Sequence, residues 1–178
     1  MSTETLIWLF PVVFIIHDFE ELIMGPPWIR QNGEEVARRY PFLGAMIQRL
    51  ATVSGSGFAM MVLIMFALVT GITLITALFG LFNLWAGAVV VFLLHFLVHI
   101  GQFVAYRAHF PVIITSVPGA FWCIASLYVL NERTMLDLQQ TVPWTLFGLV
   151  LTAVWLTAAH RLGTRFDHWL RRAFPQGF

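Results

Sequence analysis

The sequence predicts an all-α fold: a polytopic transmembrane helical bundle of five spans, N-terminus outside and C-terminus inside. Three observations predict it. The 178-residue chain is 59% hydrophobic and only 11% charged, where a soluble domain is nearer one-quarter charged. Its apolar runs recur at lengths near the roughly 20 residues that cross a bilayer. Its basic residues are arginines alone, and they are placed unevenly along the chain. The length suits one membrane domain, residues 1–178. The lone Cys123 lies in an apolar run, so no internal disulfide forms and cysteine usage does not identify the redox compartment.

The elements follow in order. The first span covers about residues 6–24. "MSTETLIWLF" has no basic start and no small-residue cleavage site, so it reads as a retained helix and not a signal peptide. "GPPW" is expected to end that helix, because two prolines remove backbone donors. Residues 26–53 read as an amphipathic interfacial segment, with Trp28 and Tyr40 at headgroup level. Later spans are expected at about 55–78, 84–106, 112–130 and 143–160, with Pro143 opening the last. "GSGF" reads as a flexible span start and "SVPG" as a kink in the fourth span. The tail, 161–178, is basic and amphipathic.

Orientation follows from the arginines. With the N-terminus outside, nine of the ten arginines fall on inner segments, and only Arg133 lies outside. The opposite orientation inverts the ratio, so the positive-inside rule selects N-out, C-in. The inner face is then the cytoplasmic side of a bacterial plasma membrane.

Within this apolar chain, "FIIHDFEELIMG" puts four ionisable groups into the first span. His17 lies eight residues before Gly25, about 12 Å below the inner surface. The third span carries "FLLHFLVHIGQF", with His99 at similar depth before Arg107. His17, Glu20 and Glu21 share one helix face, as do His95, His99 and Gln102. Asp18 points sideways. Each polar stripe alone is costly in hydrocarbon, at about 2.5–3.5 kcal/mol per central charge. A divalent cation between them removes most of that cost. Imidazole and carboxylate suit Zn²⁺ first, and Fe²⁺ or Mn²⁺ as well. Taken singly, the His-x-x-Glu pair also suits a proton relay and the His-x-x-x-His pair suits packing. The matching depth favours a shared ion. His160, beside Arg161, reads as a snorkelling span end, and His168 as a surface residue.

These residues carry a resemblance. His17-Asp18-Phe19-Glu20-Glu21 is the naming motif of the HXXEE domain family of small bacterial integral membrane proteins, and the chain resembles that family over about residues 5–160. The family's second histidine region matches "HFLVHIGQ", residues 95–102. Its Tyr-x-Pro-Gly motif is altered here. His109-Phe110-Pro111-Val112 is the preferred counterpart, and Ser116-Val117-Pro118-Gly119 the other. In the first case His109 stands where the family has tyrosine. The resemblance implies architecture and site rather than a reaction.

The function expected is that of a membrane-embedded metal-dependent enzyme, a hydrolase acting on a lipid or other apolar small molecule at the inner leaflet. His17, Glu21, His95 and His99 are the expected ligands, and Glu20 the general base, or a further ligand where two metals are bound. Gln102, His109 or Arg107 is expected to hold a polar headgroup. The spacing resembles the inverted zinc-protease motif His-x-x-Glu-His with its last histidine replaced. A di-metal redox enzyme, a proton- or ion-coupled transporter and a non-catalytic metal- or haem-binding subunit are the alternatives. The second and fourth spans are nearly featureless, which weighs against a transport path. The expected partners are the bilayer and an apolar substrate, and no nucleic acid. Ser54 and Ser56 are conceivable nucleophiles, but no base is spaced beside them.

Overall fold

In hydrocarbon a chain must satisfy its own backbone polar groups, and helices do so within one segment. The computed structural model of the protein, which describes residues 1–106 and 112–175, is built that way. In order its elements are α1 (Thr3–Arg39), a 3-10 turn (Pro41–Leu43), α2 (Gly44–Thr52), α3 (Gly55–Phe79), α4 (Phe82–Tyr106), α5 (Ile113–Glu132) and α6 (Leu138–Ala173). No strand occurs among the described residues. The helices α3 to α6 are each long and apolar enough to cross a membrane. α1 falls outside that set, because its charged motif interrupts the apolar run.

Three boundaries differ from the sequence expectations. α1 does not stop at "GPPW": it continues through Pro26 and Pro27 to Arg39. A proline inside a helix typically costs about 3 kcal/mol. Here Gly25 and Pro26 are buried, and the segment beyond packs on α2, where Gly33 seats the Ile47 side chain. Tertiary contact thus holds what local propensity would break. Pro143 does not open α6. The helix begins at Leu138, with the Asp137 side chain accepting from the Gln139 N–H at 2.9 Å, a standard cap. At its far end α6 runs on through the basic tail to Ala173. At 36 residues it is about 54 Å long, well beyond the roughly 30 Å hydrocarbon core.

"GSGF" is a packing contact rather than a loose start. Ser54 caps α3 by accepting from the Gly57 N–H at 3.1 Å. A Cβ at Gly57 would come within 2.9 Å of the Asp167 Cβ, and one at Gly163 within 2.8 Å of the Gly57 carbonyl. Small residues let α3 and α6 approach this closely, as is common between membrane helices. Between α3 and α4 the chain turns tightly at "FGLFN", with Gly80 in the left-handed region at φ 68°.

The long helices form a closed circuit, α1 against α3, α3 against α6, α6 against α4, α4 against α5 and α5 against α1. Side chains of α1, α4 and α5 meet inside it. Trp85, Phe10, Phe96 and Leu6 are almost wholly buried there, and the Trp85 indole N–H donates to the Ile7 carbonyl at 3.3 Å. Phe10 packs edge-on to Trp85 at 5.7 Å and against Phe92 at 5.6 Å. This aromatic plug lies N-terminal to the motif on α1 and sets the floor of the site.

Candidate metal centre

Successive helical residues rotate by about 100°. Relative to His17, Glu20 therefore sits about 60° to one side, Glu21 about 40° to the other, and Asp18 about 100° beyond. One motif is thus spread over an arc of roughly 160° and meets three surroundings.

His17 stands at the centre of the arc and is completely buried. Its ring lies 4.7 Å from Phe96 and edge-on to it, with Phe92 at 5.8 Å. The His17 Nε2 is 3.1 Å from the His95 Nε2. The His99 Nε2 is 3.0 Å from the same His95 atom. Ligand atoms of His17, Glu21, His95 and His99 all lie within 4.8 Å of one another. It is the one such group among the described residues.

The outer nitrogens explain the tautomers. His99 Nδ1 lies 3.0 Å from the Gln102 Oε1, which accepts its proton. His17 Nδ1 lies 2.9 Å from the Thr115 hydroxyl oxygen. That hydroxyl in turn donates to the Glu20 Oε2 at 2.6 Å, so its oxygen is left to accept from His17. Both outer histidines then carry their proton on Nδ1 and turn Nε2 toward His95. His95 can offer its Nε2 at most one proton for the two. Three imidazole nitrogens thus converge, with contacts of 3.0 and 3.1 Å, next to a carboxylate. That donor set fits a cation, and the contacts to Thr115 and Gln102 are the kind that orient ligating histidines.

Glu20 goes elsewhere. The sequence reading put it at the metal as base or ligand, but it is not one of the four convergent residues. Its Oε1 accepts from the Val112 N–H at 3.1 Å and its Oε2 from the Thr115 N–H at 2.9 Å. Val112 occupies the N-cap position of α5 with φ 79°, in the left-handed region that a β-branched residue rarely adopts. Valine has no side-chain acceptor for the cap. Glu20 supplies one from α1, and a carboxylate at a helix N-terminus is also favoured by the dipole. No sequence signal marked Thr115, a single threonine in an apolar span.

Gln102 is engaged with His99, its Oε1 lying 3.0 Å from the His99 Nδ1. Arg107, His109, Phe110 and Pro111 lie outside the described residues. The other motif counterpart is visible: Gly119 on α5 leaves room for the Phe96 ring, which a Cβ there would strike. Pro118 lies within α5, which remains one helix through it.

On the far side of the arc, Asp18 and Glu21 line a cavity of about 330 Å³. His95 and His160 also reach it, so His160 faces the interior space that the cluster borders. The remaining wall is largely Phe, Met, Leu, Val and Ile from α1, α3, α4 and α6.

Residues 8–123 match the family described as proteins of unknown function with an HXXEE motif. That is more than half of the chain, and the chain belongs to this family. No curated protein and no solved structure matches it.

Proposed function

From membership of the HXXEE family and the geometry of its motif, we propose that this protein is a membrane-embedded, metal-dependent hydrolase acting on a lipid or other apolar molecule. The observation that carries the reading is the convergence of three imidazole Nε2 atoms and the Glu21 carboxylate at the edge of an apolar cavity. His17, Glu21, His95 and His99 would hold one ion, with Zn²⁺ the best match to a three-histidine, one-carboxylate set and Fe²⁺ or Mn²⁺ next. Such an ion would supply Lewis acidity and acidify bound water.

The chain's own residues do the rest. Thr115 and Gln102 hold the His17 and His99 tautomers, so both present Nε2 inward. Glu20, whose oxygens serve α5, acts as a positioning residue through Thr115 rather than as the base. The aromatic plug of Phe10, Trp85 and Phe92 excludes water from one side. The cavity receives the apolar part of the substrate beside Glu21 and His95. A single group of four favours one metal over a bridged pair, and hydrolysis over di-metal redox chemistry. Polar groups concentrated at one level favour an enzyme over a transport path.

In the same reading α1 is a fifth membrane crossing, N-out and C-in, and the site lies toward the inner leaflet of a bacterial plasma membrane. A reporter fused to the C-terminus should be active only on the cytoplasmic side. Metal is the direct test. Protein purified in mild detergent without chelator should hold about one transition-metal ion per chain by elemental analysis, and none in His95→Ala. Wild-type protein with no metal above background would remove the proposal. Loaded protein mixed with membrane lipid extract should release products visible by mass spectrometry, and stripped protein should not.

A further inference from the structure

The cavity beside the cluster has an uneven chemistry. Its walls are apolar, and its volume of about 330 Å³ is at the small end of ligand pockets, which run from roughly 300 to 1,000 Å³. That size suits one chain rather than two. The chain has no lysine, and none of the described arginines lines it. Its polar groups are mostly acceptors. Asp18 is 7% exposed, lines the cavity, and receives no hydrogen bond from any described residue. His160 donates its Nδ1–H to the Leu156 carbonyl at 2.8 Å, which leaves its Nε2 as an acceptor. The Thr152 hydroxyl, on the same wall, can donate. A buried acceptor without a donor is costly, and buried polar groups in proteins are generally paired. The cavity is the one place from which the described surroundings leave Asp18 room to receive a donor, so its occupant can supply one.

We propose that this cavity binds a single-chain amphiphile whose head donates hydrogen bonds, a long-chain alcohol or amine, with the head at Asp18 and the chain along the apolar wall. This names the substrate class of the proposed hydrolase and rests on that reading for turnover, though binding itself needs no metal. An ester or amide of such an alcohol or amine would release this head on hydrolysis, with water adding across the cleaved bond. The bound amphiphile is then the product side of the reaction.

The test uses diazirine analogues of dodecanol, dodecylamine and dodecanoate in liposomes carrying the full-length protein. Labelled residues are mapped by mass spectrometry, and metal content is measured on the same preparations. Labelling is run on metal-loaded and chelator-stripped protein. The head preference is read in the stripped form if it keeps its helicity by circular dichroism, because a carboxylate could otherwise gain by ligating a metal. If stripping costs helicity, the preference is read as the difference between wild type and Asp18→Leu in the loaded form. The alcohol or the amine should label the cavity saturably, and dodecanoate at least roughly tenfold more weakly, as expected when a polar group is left unmatched. Whichever of the two labels better identifies the head. Asp18→Leu should level the three probes. Ala88→Phe, which fills the cavity, should abolish labelling by all. If Asp18→Leu does not fold, Asp18→Asn keeps an acceptor, adds a donor, and should admit dodecanoate. Equal labelling by dodecanoate in wild type, or labelling that survives Ala88→Phe, overturns the proposal. Protein that holds no metal when purified without chelator, yet keeps the head preference, overturns the hydrolase reading and leaves this one standing.

Discussion

Two buried polar clusters in this molecule do opposite things with their carboxylates. At the junction of α3 and α6, Asp167 accepts from the Ser54 hydroxyl and pairs with the Arg171 guanidinium at 3.2 Å. Ser54 in turn accepts from the Gly57 N–H. Each of these groups has a protein partner, and the cluster is complete as it stands. Between α1, α4 and α5 the bookkeeping does not close. His17, His95 and His99 turn their Nε2 atoms on one another, and neither Glu21 nor Asp18 receives a hydrogen bond from a described residue. A satisfied polar cluster reads as structure, and an unsatisfied one reads as a place for something else. Charge and burial alone would not have told them apart.

The comparison breaks most visibly at His95. His95→Ala or Glu21→Ala should lose metal by more than the 10–100-fold typical of outer-shell changes, in competition against a chelator of known affinity. Ser54→Ala should not change metal content at all. If both clusters affect metal alike, the distinction is wrong.

A smaller effect is expected at Thr115. Thr115→Ala removes the acceptor that holds the His17 tautomer, and should weaken metal binding about 10–100-fold. Thr115→Ser keeps the hydroxyl and should restore most of it. A cobalt-substituted protein should show altered ligand-field bands in the alanine variant but not in the serine one. Failure of serine to rescue would mean that Thr115 acts by packing.

The smallest effects belong to the closed cluster and are effects on stability. Ser54→Ala should cost about 1 kcal/mol as a lost N-cap. Asp167 also gives a pH signature. Burial alone would raise its carboxyl, but the Ser54 hydroxyl and the Arg171 guanidinium outweigh burial and hold it below its ordinary value of 3.8. A group depressed on folding stabilises above its unfolded pKa, and that contribution is lost as pH falls through the folded value. Melting temperature of the wild type should therefore fall more than that of Asp167→Asn between about pH 5 and about pH 3. Parallel curves would show that this carboxylate adds nothing.

Much of this was legible in the chain itself. Apolar runs of bilayer length and the scarcity of charge determined an all-helical protein with helices fit to cross a membrane, because hydrocarbon tolerates few other backbones. Helical periodicity put His17 with Glu21 and His95 with His99, because residues four apart share a face whatever surrounds them. Periodicity could not say what each side of a helix would meet. Glu20 and Asp18 lie on either side of the His17 direction, and only the packing of α5 against α1 turned the first into a cap for Val112. The cavity between α1, α3, α4 and α6 turned the second into an unpaired acid. Pro26 and Pro27 predicted a break that contact with α2 overrode, since local preferences of a few kcal/mol yield to burial. The ligand types and their spacing are properties of one helix at a time, and the sequence holds them. Which groups remain unsatisfied depends on neighbours far apart in the chain, and only the tertiary structure decides that.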